Sequence, residues 1–252
     1  MLCRRLVCLG LIKRQLFTNV DPKQIDKFSS VELWERRRQA LKPFVANRVK
    51  FIHKAMVDSF KENINNVSIL DLGCGVGFIA EEIARLGLKV HGIDPGESLI
   101  QYAKKSLQRG KQLSDNLTYD TGTSKEELTK KGNEVYDVII CSQVLEHVPD
   151  YKTIVGDIAL LLKKNGLAII STDNRRLRTW LQLCVLDELI RRKRPIGTHK
   201  WHRLIKPEEL KKVCKDNGLI TKKFEGWNMA FFKDEWKENN KGTSYMIAAV
   251  KE

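Results

Sequence analysis

Short apolar runs alternate along this chain with longer stretches in which apolar residues recur every three or four positions. The runs at 67–71, 89–94, 116–121, 136–141 and 167–172 are short, near-continuous and bounded by turn formers, as strands buried on both faces require. Stretches 78–86, 97–107 and 151–163 carry helical spacing instead. Alternation at this pitch predicts an α/β fold built on a doubly wound, mostly parallel sheet. Ahead of it, 20–64 reads as polar N-terminal helices, with Trp34 and the run Arg36, Arg37, Arg38 on a solvated face. Behind it, 175–203 mixes apolar and basic side chains and reads as a helical insertion. A further helix at 207–217 and two last strands near 219–227 and 243–250 complete the pattern, and 20–252 is expected to form one domain.

Composition changes this picture little. With 252 residues, 42% hydrophobic and 30% charged, the chain can bury a full core. Its net charge of +14 suits anionic partners. The basic residues are spread out, with no arm of clustered Lys and Arg among aromatics, so nucleic-acid binding is not expected. Cysteines at 3, 8, 74, 141, 184 and 214 form neither a CxxC pair nor a zinc-ligand spacing, and read as small thiols in a reducing compartment. No stretch approaches the roughly 20 apolar residues of a membrane span.

The first 19 residues differ. They carry Arg4, Arg5, Lys13 and Arg14, no acid precedes Asp21, and Leu2, Leu6, Leu9 and Leu16 recur at roughly helical intervals. A basic amphipathic segment of this kind fits a mitochondrial transit peptide; the alternative is an ordinary disordered basic N-terminus.

The chemistry starts at LDLGCGVG, residues 70–77, where a strand ends in a glycine turn that opens a helix. Glycines let backbone approach a ligand closely, and a helix N-terminus offers free N–H groups. Gly73, Gly75 and Gly77 give GxGxG, whereas a dinucleotide fingerprint needs glycine where Phe78 stands, which disfavours NAD(P). Asp94, 17 residues after Gly77 at the end of the second strand, is placed to accept hydrogen bonds from both ribose hydroxyls of a nucleoside. Its alternative is a turn residue ahead of Pro95-Gly96. Asp71 is either a structural loop carboxylate or a group facing a positive ligand.

LDLGCGVG, GIDP and LLKKNG at 161–166 together resemble the class I S-adenosylmethionine methyltransferases. The resemblance narrows with Val20-Asp21-Pro22, Lys27-Phe28, Leu41-Lys42-Pro43, Asn47-Arg48-Val49, the segment from Ser142 to Val148, Ser171-Thr172, Asn174-Arg175, Gly197-Thr198-His199 and Ser244-Tyr245-Met246. On these, nearly the whole chain after residue 20 is similar to the ubiquinone-biosynthesis O-methyltransferases. That resemblance implies S-adenosylmethionine as cofactor, held by Arg48, Gly73, Gly75, Gly77, Asp94 and Ser142. An arginine can hold the cofactor carboxylate bidentately.

The resemblance also implies a catechol acceptor on a polyprenylated ring and a divalent cation, Mg²⁺, held in an ExxEH pattern. A phenol titrates near 10, and a Lewis-acid cation across both catechol oxygens favours the phenolate. Here the three positions are Gln143, Glu146 and His147, so the first has no charge, and hard cations prefer carboxylates. Three readings stay open: a weaker metal site, a site completed by another acid such as Asp173, or no metal, with His147 or His199 as general base.

In the insertion, Trp180, Leu181, Leu183, Val185, Leu186, Leu189 and Ile190 form one apolar face in helical spacing, followed by the basic run 191–194. This suits a polyprenyl channel and anionic headgroups on the matrix face of the inner membrane, or a helix packed on the sheet beside a solvated loop. The expected activity is O-methylation of ubiquinone precursors in the mitochondrial matrix, with other proteins of that synthesis as further partners. Two alternatives remain: a methyltransferase for another small molecule or a protein, and a non-catalytic, cofactor-binding subunit of a biosynthetic assembly, which Gln143 keeps open.

Overall fold

The computed structural model describes residues 19–109, 115–192, 196–227 and 242–252. Nearly all of the proposed transit segment and Lys193, Arg194 and Pro195 of the basic run lie outside them. Seven strands form one sheet in the order β3-β2-β1-β4-β5-β7-β6. They are β1 (Ile69–Leu72), β2 (Val90–Asp94), β3 (Leu117–Thr121), β4 (Tyr136–Ser142), β5 (Leu162–Asp173), β6 (Leu219–Trp227) and β7 (Ser244–Lys251). All neighbours run parallel except β7, which is antiparallel to both β5 and β6. The mostly parallel sheet read from the apolar runs is therefore observed, and the last two strands supply its mixed edge.

Helices cover both faces because the central strands are apolar on both. Every residue of β1 is buried, as are Val138 to Cys141 of β4. Preceded by a short helix α1 (Pro22–Phe28), one face packs against α2 (Val31–Phe60), with Phe51, Ile52, Ala55 and Met56, and against α3 (Phe78–Arg85) and α4 (Glu97–Arg109), with Ala80, Ile83, Ile100 and Ala103. Behind α5 (Ser124–Lys131), the opposite face packs against α6 (Tyr151–Leu161), with Ile154, Val155 and Ile158, and α8 (Pro207–Asp216), with Leu210 and Cys214. Ile139 and Ile140, fully buried on opposite faces, each lose about 2–5 kcal/mol if cut to Ala.

Two boundaries differ from the sequence reading. The strand expected at 167–172 begins at Leu162, because a register irregularity between Tyr136 and Val138 lets Leu162 pair with Tyr136 before the regular ladder resumes at Leu167. The insertion is helical, but not as expected. A single turn α7 (Leu177–Trp180) continues into a π-helix (Leu181–Ile190), closed by Arg191 N–H donating to Leu186 O at 2.8 Å. This wider winding turns Gln182, Leu183, Asp187 and Glu188 inward, at spacings of five, and leaves Leu181, Leu189 and Ile190 exposed. The apolar residues of this stretch are thus divided, Leu183 buried, Trp180, Val185 and Leu186 half-buried, and Leu181, Leu189 and Ile190 outward. Among the described residues, no helix is long and apolar enough to cross a membrane.

In a doubly wound sheet, ligands bind outside the carboxyl ends of the strands where the strand order reverses. Here that point lies at the ends of β1 and β4, between the glycine turn and the segment 142–147.

Candidate active site

The glycine turn is held almost wholly by backbone. Gly73 and Cys74 N–H donate to Ile93 O at 2.8 and 3.1 Å, and Gly77 N–H to Cys74 O at 2.9 Å. Gly73, Gly75 and Gly77 all have positive φ, where a side chain is strained. A Cβ on Gly73 would sit 2.3 Å from Val144 Cγ2, and one on Gly77 would sit 2.1 Å from the Tyr119 hydroxyl. Gly73 therefore fastens the turn to the segment after β4, and Gly77 to β3. Gly75 is different: nothing lies within 4 Å of its Cβ position, so the turn opens to space there.

Asp94 closes this cradle. Its Oδ2 accepts from Gly75 N–H at 2.9 Å and its Oδ1 from Gly96 N–H at 2.8 Å. Asp94 thus orders the turn before Pro95-Gly96, and each of its oxygens keeps a lone pair for a further donor. Burial raises its pKa. Asp71 accepts from Ala80 N–H in the first turn of α3, while no described residue donates to its buried Oδ2. Burial and the neighbouring Asp94 charge push Asp71 up to about 7. An open glycine, an unsatisfied buried carboxylate oxygen and a buried Asp with spare lone pairs fit a nucleoside that carries positive charge. Ser142, at the end of β4, shares a 2.8 Å hydrogen bond with Ser171. Arg48, on α2, lies close enough to Glu146 to oppose the rise in its pKa.

The second half of the site gathers side chains from four separate stretches. Glu146, in a short 3₁₀ turn after β4, is buried and accepts from Thr172 Oγ1–H at 2.8 Å. Asp173, at the end of β5, is buried and accepts from Ser244 Oγ–H at 2.6 Å, a contact set by the register that places Asp173 opposite Ser244. Burial and the Asp173 carboxylate lift Glu146 well above the usual carboxylate range. His199 is buried between two acids: Nδ1 is 2.7 Å from Glu188 Oε1, and Nε2 is 3.7 Å from Asp173 Oδ2. Glu188 also accepts the backbone N–H groups of Gly197, Thr198 and His199. The His147 ring meets the edge of Phe28 at 4.7 Å and lies 5.8 Å from the His199 ring.

The N-terminal helix roofs this half. Asp21 pairs with Arg203 at 2.7 Å, whose guanidinium also donates to His147 O at 3.3 Å. Lys27 donates to Gly197 O at 2.6 Å, and Trp34 Nε1–H to Phe28 O at 2.8 Å. The structure thus brings together every residue singled out around 142–147, together with Asp173 and His199. It adds Glu188, which no segment marked, and gives Thr172 and Ser244, marked only as part of family-like segments, the role of donors to Glu146 and Asp173.

Residues 33–221 match the family described as a methyltransferase domain. The ubiquinone biosynthesis O-methyltransferase of Pelagibacter ubique is 32% identical over 243 residues, spanning 92% of this chain and 99% of that protein. The enzyme of the same name from a Shewanella species is 32% identical over 238 residues, 93% of this chain and 98% of its own. This chain belongs to the ubiquinone-biosynthesis O-methyltransferase family. Among solved structures, the magnesium protoporphyrin IX methyltransferase of Synechocystis shares the fold at a TM-score of 0.58 and 21% identity, over 90% of this chain and 97% of that one.

Among the described residues, no group of three or more His, Cys, Asp or Glu side chains is placed to hold a metal ion. At the first position of the ExxEH-like segment stands Gln143. Its backbone N–H donates to Ser171 O at 2.9 Å, and its amide faces two carboxylate oxygens, Asp173 Oδ1 and Glu146 Oε1, each 3.3 Å away. Only an orientation with the amide nitrogen toward both satisfies all three groups, since the reverse sets oxygen against oxygen.

Proposed function

We propose that this methyltransferase moves a methyl group from S-adenosylmethionine to one hydroxyl of a catechol ring bearing a polyprenyl tail. The observation that carries the reading is the buried acid–imidazole cluster of Glu146, Asp173, His147 and His199 beside the open cradle at Gly75. When bound, S-adenosylmethionine supplies an electrophilic methyl on a sulfonium. Asp94 takes the ribose hydroxyls, Asp71 supports the positive charge, and Arg48 and Ser142 complete the cofactor wall. The remaining work is alignment of the acceptor oxygen and removal of its proton.

His147 is the proton acceptor in this reading. Both ring nitrogens of His199 face carboxylates, which commits that residue to holding Asp173. His147 is less buried and lies on the turn after β4, between the ends of the cofactor strand and the roof formed by Phe28. The test is methyl transfer from S-adenosylmethionine to a demethylated ubiquinol analogue. A mono-methylated catechol product is expected; bound cofactor without methylation of any catechol would overturn the reading.

The reading extends to a membrane-held acceptor. Leu177, Ile190 and Ile196 are each 66% exposed, Leu189 is exposed, and Arg176, Arg178, Arg191 and Arg192 stand next to Leu177 and Ile190 along the chain. Apolar side chains with an arginine border suit an anionic bilayer surface. Residues 1–19 are read as an import segment that brings the enzyme to the mitochondrial matrix, against the inner membrane. Fusion of that segment to a fluorescent reporter tests this, with a cytosolic signal as the contrary result.

A further inference from the structure

Gln143 is the point at which the chain departs from its family's ExxEH pattern, and its surroundings show what the departure does. Two acids, Glu146 and Asp173, are buried side by side. Two carboxylates in a low-dielectric site repel strongly unless a cation, a proton or a convergent donor lies between them. Here the donor is an amide. With its nitrogen toward the acids, Gln143 gives one N–H to Asp173 Oδ1 and the other to Glu146 Oε1, both at 3.3 Å. The second oxygen of each acid is also engaged or faced: Thr172 donates to Glu146 Oε2, while His199 Nε2 lies 3.7 Å from Asp173 Oδ2. Ser244 adds a second donor to Asp173 Oδ1.

Gln143 holds this pose from an uncommon backbone, with φ +59° in the left-handed region that favours glycine. Such a conformation costs roughly 1–3 kcal/mol and persists only when the surroundings fix it. The backbone N–H bond to Ser171 O is part of that fixing.

We propose that in this chain the Gln143 amide replaces the divalent cation, tying Glu146 to Asp173, so that the acceptor site is organised without metal. This deepens the O-methyltransferase reading and, for turnover alone, rests on it. A neutral amide brings two donors to the place where a cation would bring two charges. The carboxylate lone pairs that would ligate a metal are instead spent on N–H and O–H groups. Glutamate at 143 would reverse the balance, setting a third carboxylate against the first two and favouring a hard cation.

The test compares the full chain with Gln143→Glu, using Mn²⁺ as the probe and paramagnetic resonance to count bound ion. Wild type is expected to bind no Mn²⁺ at millimolar concentration, and Gln143→Glu to gain a site at least about tenfold tighter. Thermal unfolding gives a second reading. The melting temperature of wild type should be indifferent to chelator or Mg²⁺, whereas that of Gln143→Glu should rise on adding Mg²⁺. Should Gln143→Glu fail to fold, Gln143→Met, which removes the amide without adding charge, is expected to lose the tie and still bind no Mn²⁺. Stoichiometric Mn²⁺ on the wild type, or wild-type turnover abolished by chelator and restored by Mg²⁺, would overturn the proposal. Ion counting and unfolding need no acceptor, so failure of the catechol assignment would show separately, as normal metal results without turnover.

Discussion

The two halves of the site are built from different material. The proposed cofactor half is a backbone device: three glycines at positive φ, amides donating to Ile93 and Asp94, and the Asp94 carboxylate itself, all within residues 70–96. The acceptor half is a side-chain device, in which Glu146, Asp173, Glu188, His199 and Ser244 meet only because β4, β5, β7 and the π-helix come together. A backbone device tolerates one purpose and fixes it. A side-chain device can be retuned by one substitution, as Gln143 illustrates, and this division lets one fold keep a cofactor while acceptors change.

The sharpest way to separate the halves is His147→Ala. Loss of the proton acceptor should lower kcat by about 10²–10⁴-fold, while calorimetry finds cofactor affinity essentially unchanged. An equal loss in His199→Ala with an unaltered pH profile would move the base to His199. Next in size is Gly73→Ala, which attacks the joint between the halves. Its Cβ would meet Val144 at 2.3 Å in a left-handed backbone, so overpacking and strain should together cost about 2–4 kcal/mol in denaturant unfolding.

Asp94→Asn should weaken cofactor binding by about tenfold or more, the cost of a charge-assisted hydrogen bond, and leave the Mn²⁺ and unfolding behaviour of the acceptor half alone. A gentler effect follows from Asp71, which burial and Asp94 hold up to about 7. Its folded pKa lies above the unfolded one, so the folded chain binds the extra proton and ligand-free stability falls as pH rises from the usual Asp range through about 7. A cationic cofactor reverses this preference, so its affinity should climb as pH passes through about 7, with proton release in calorimetry below that value. Asp71→Asn should flatten the profile. Smallest in stability is Leu189→Ser with Ile190→Ser and Ile196→Ser, expected to shift unfolding by only about 0.5 kcal/mol as exposed changes do. The same variant should lose flotation with anionic vesicles; retained flotation would assign the patch another role.

The same division governs what the sequence made legible. Gly73, Gly75, Gly77 and Asp94 lie close together along the chain, and their spacing is enough to read strand, turn, helix and nucleoside cradle. The parallel sheet was legible because strands buried on both faces must be continuous apolar runs. Asp173 was suspected as an added acid, yet its partner Ser244 lies 71 residues away and is placed by strand register alone. Glu188 left no trace, because α-helical spacing puts it among residues of no special face; the π winding turns it inward to grip His199. That winding also sets which apolar residues of the insertion face outward, which the sequence left open between a membrane-facing surface and packing on the sheet. The surroundings of Gln143 were hidden for a related reason: the pattern gives residue types, whereas the direction of its amide depends on Asp173 from another strand as well as on Glu146.

The most direct test of the account is a crystal structure of the full chain with S-adenosylhomocysteine and a catechol analogue bound together. The account predicts the ribose hydroxyls on Asp94, the nucleoside over Gly75, and a catechol oxygen within hydrogen-bond reach of His147 with the Gln143 amide still between Glu146 and Asp173. A catechol bound away from His147, or a cation seated between those two acids, would contradict it.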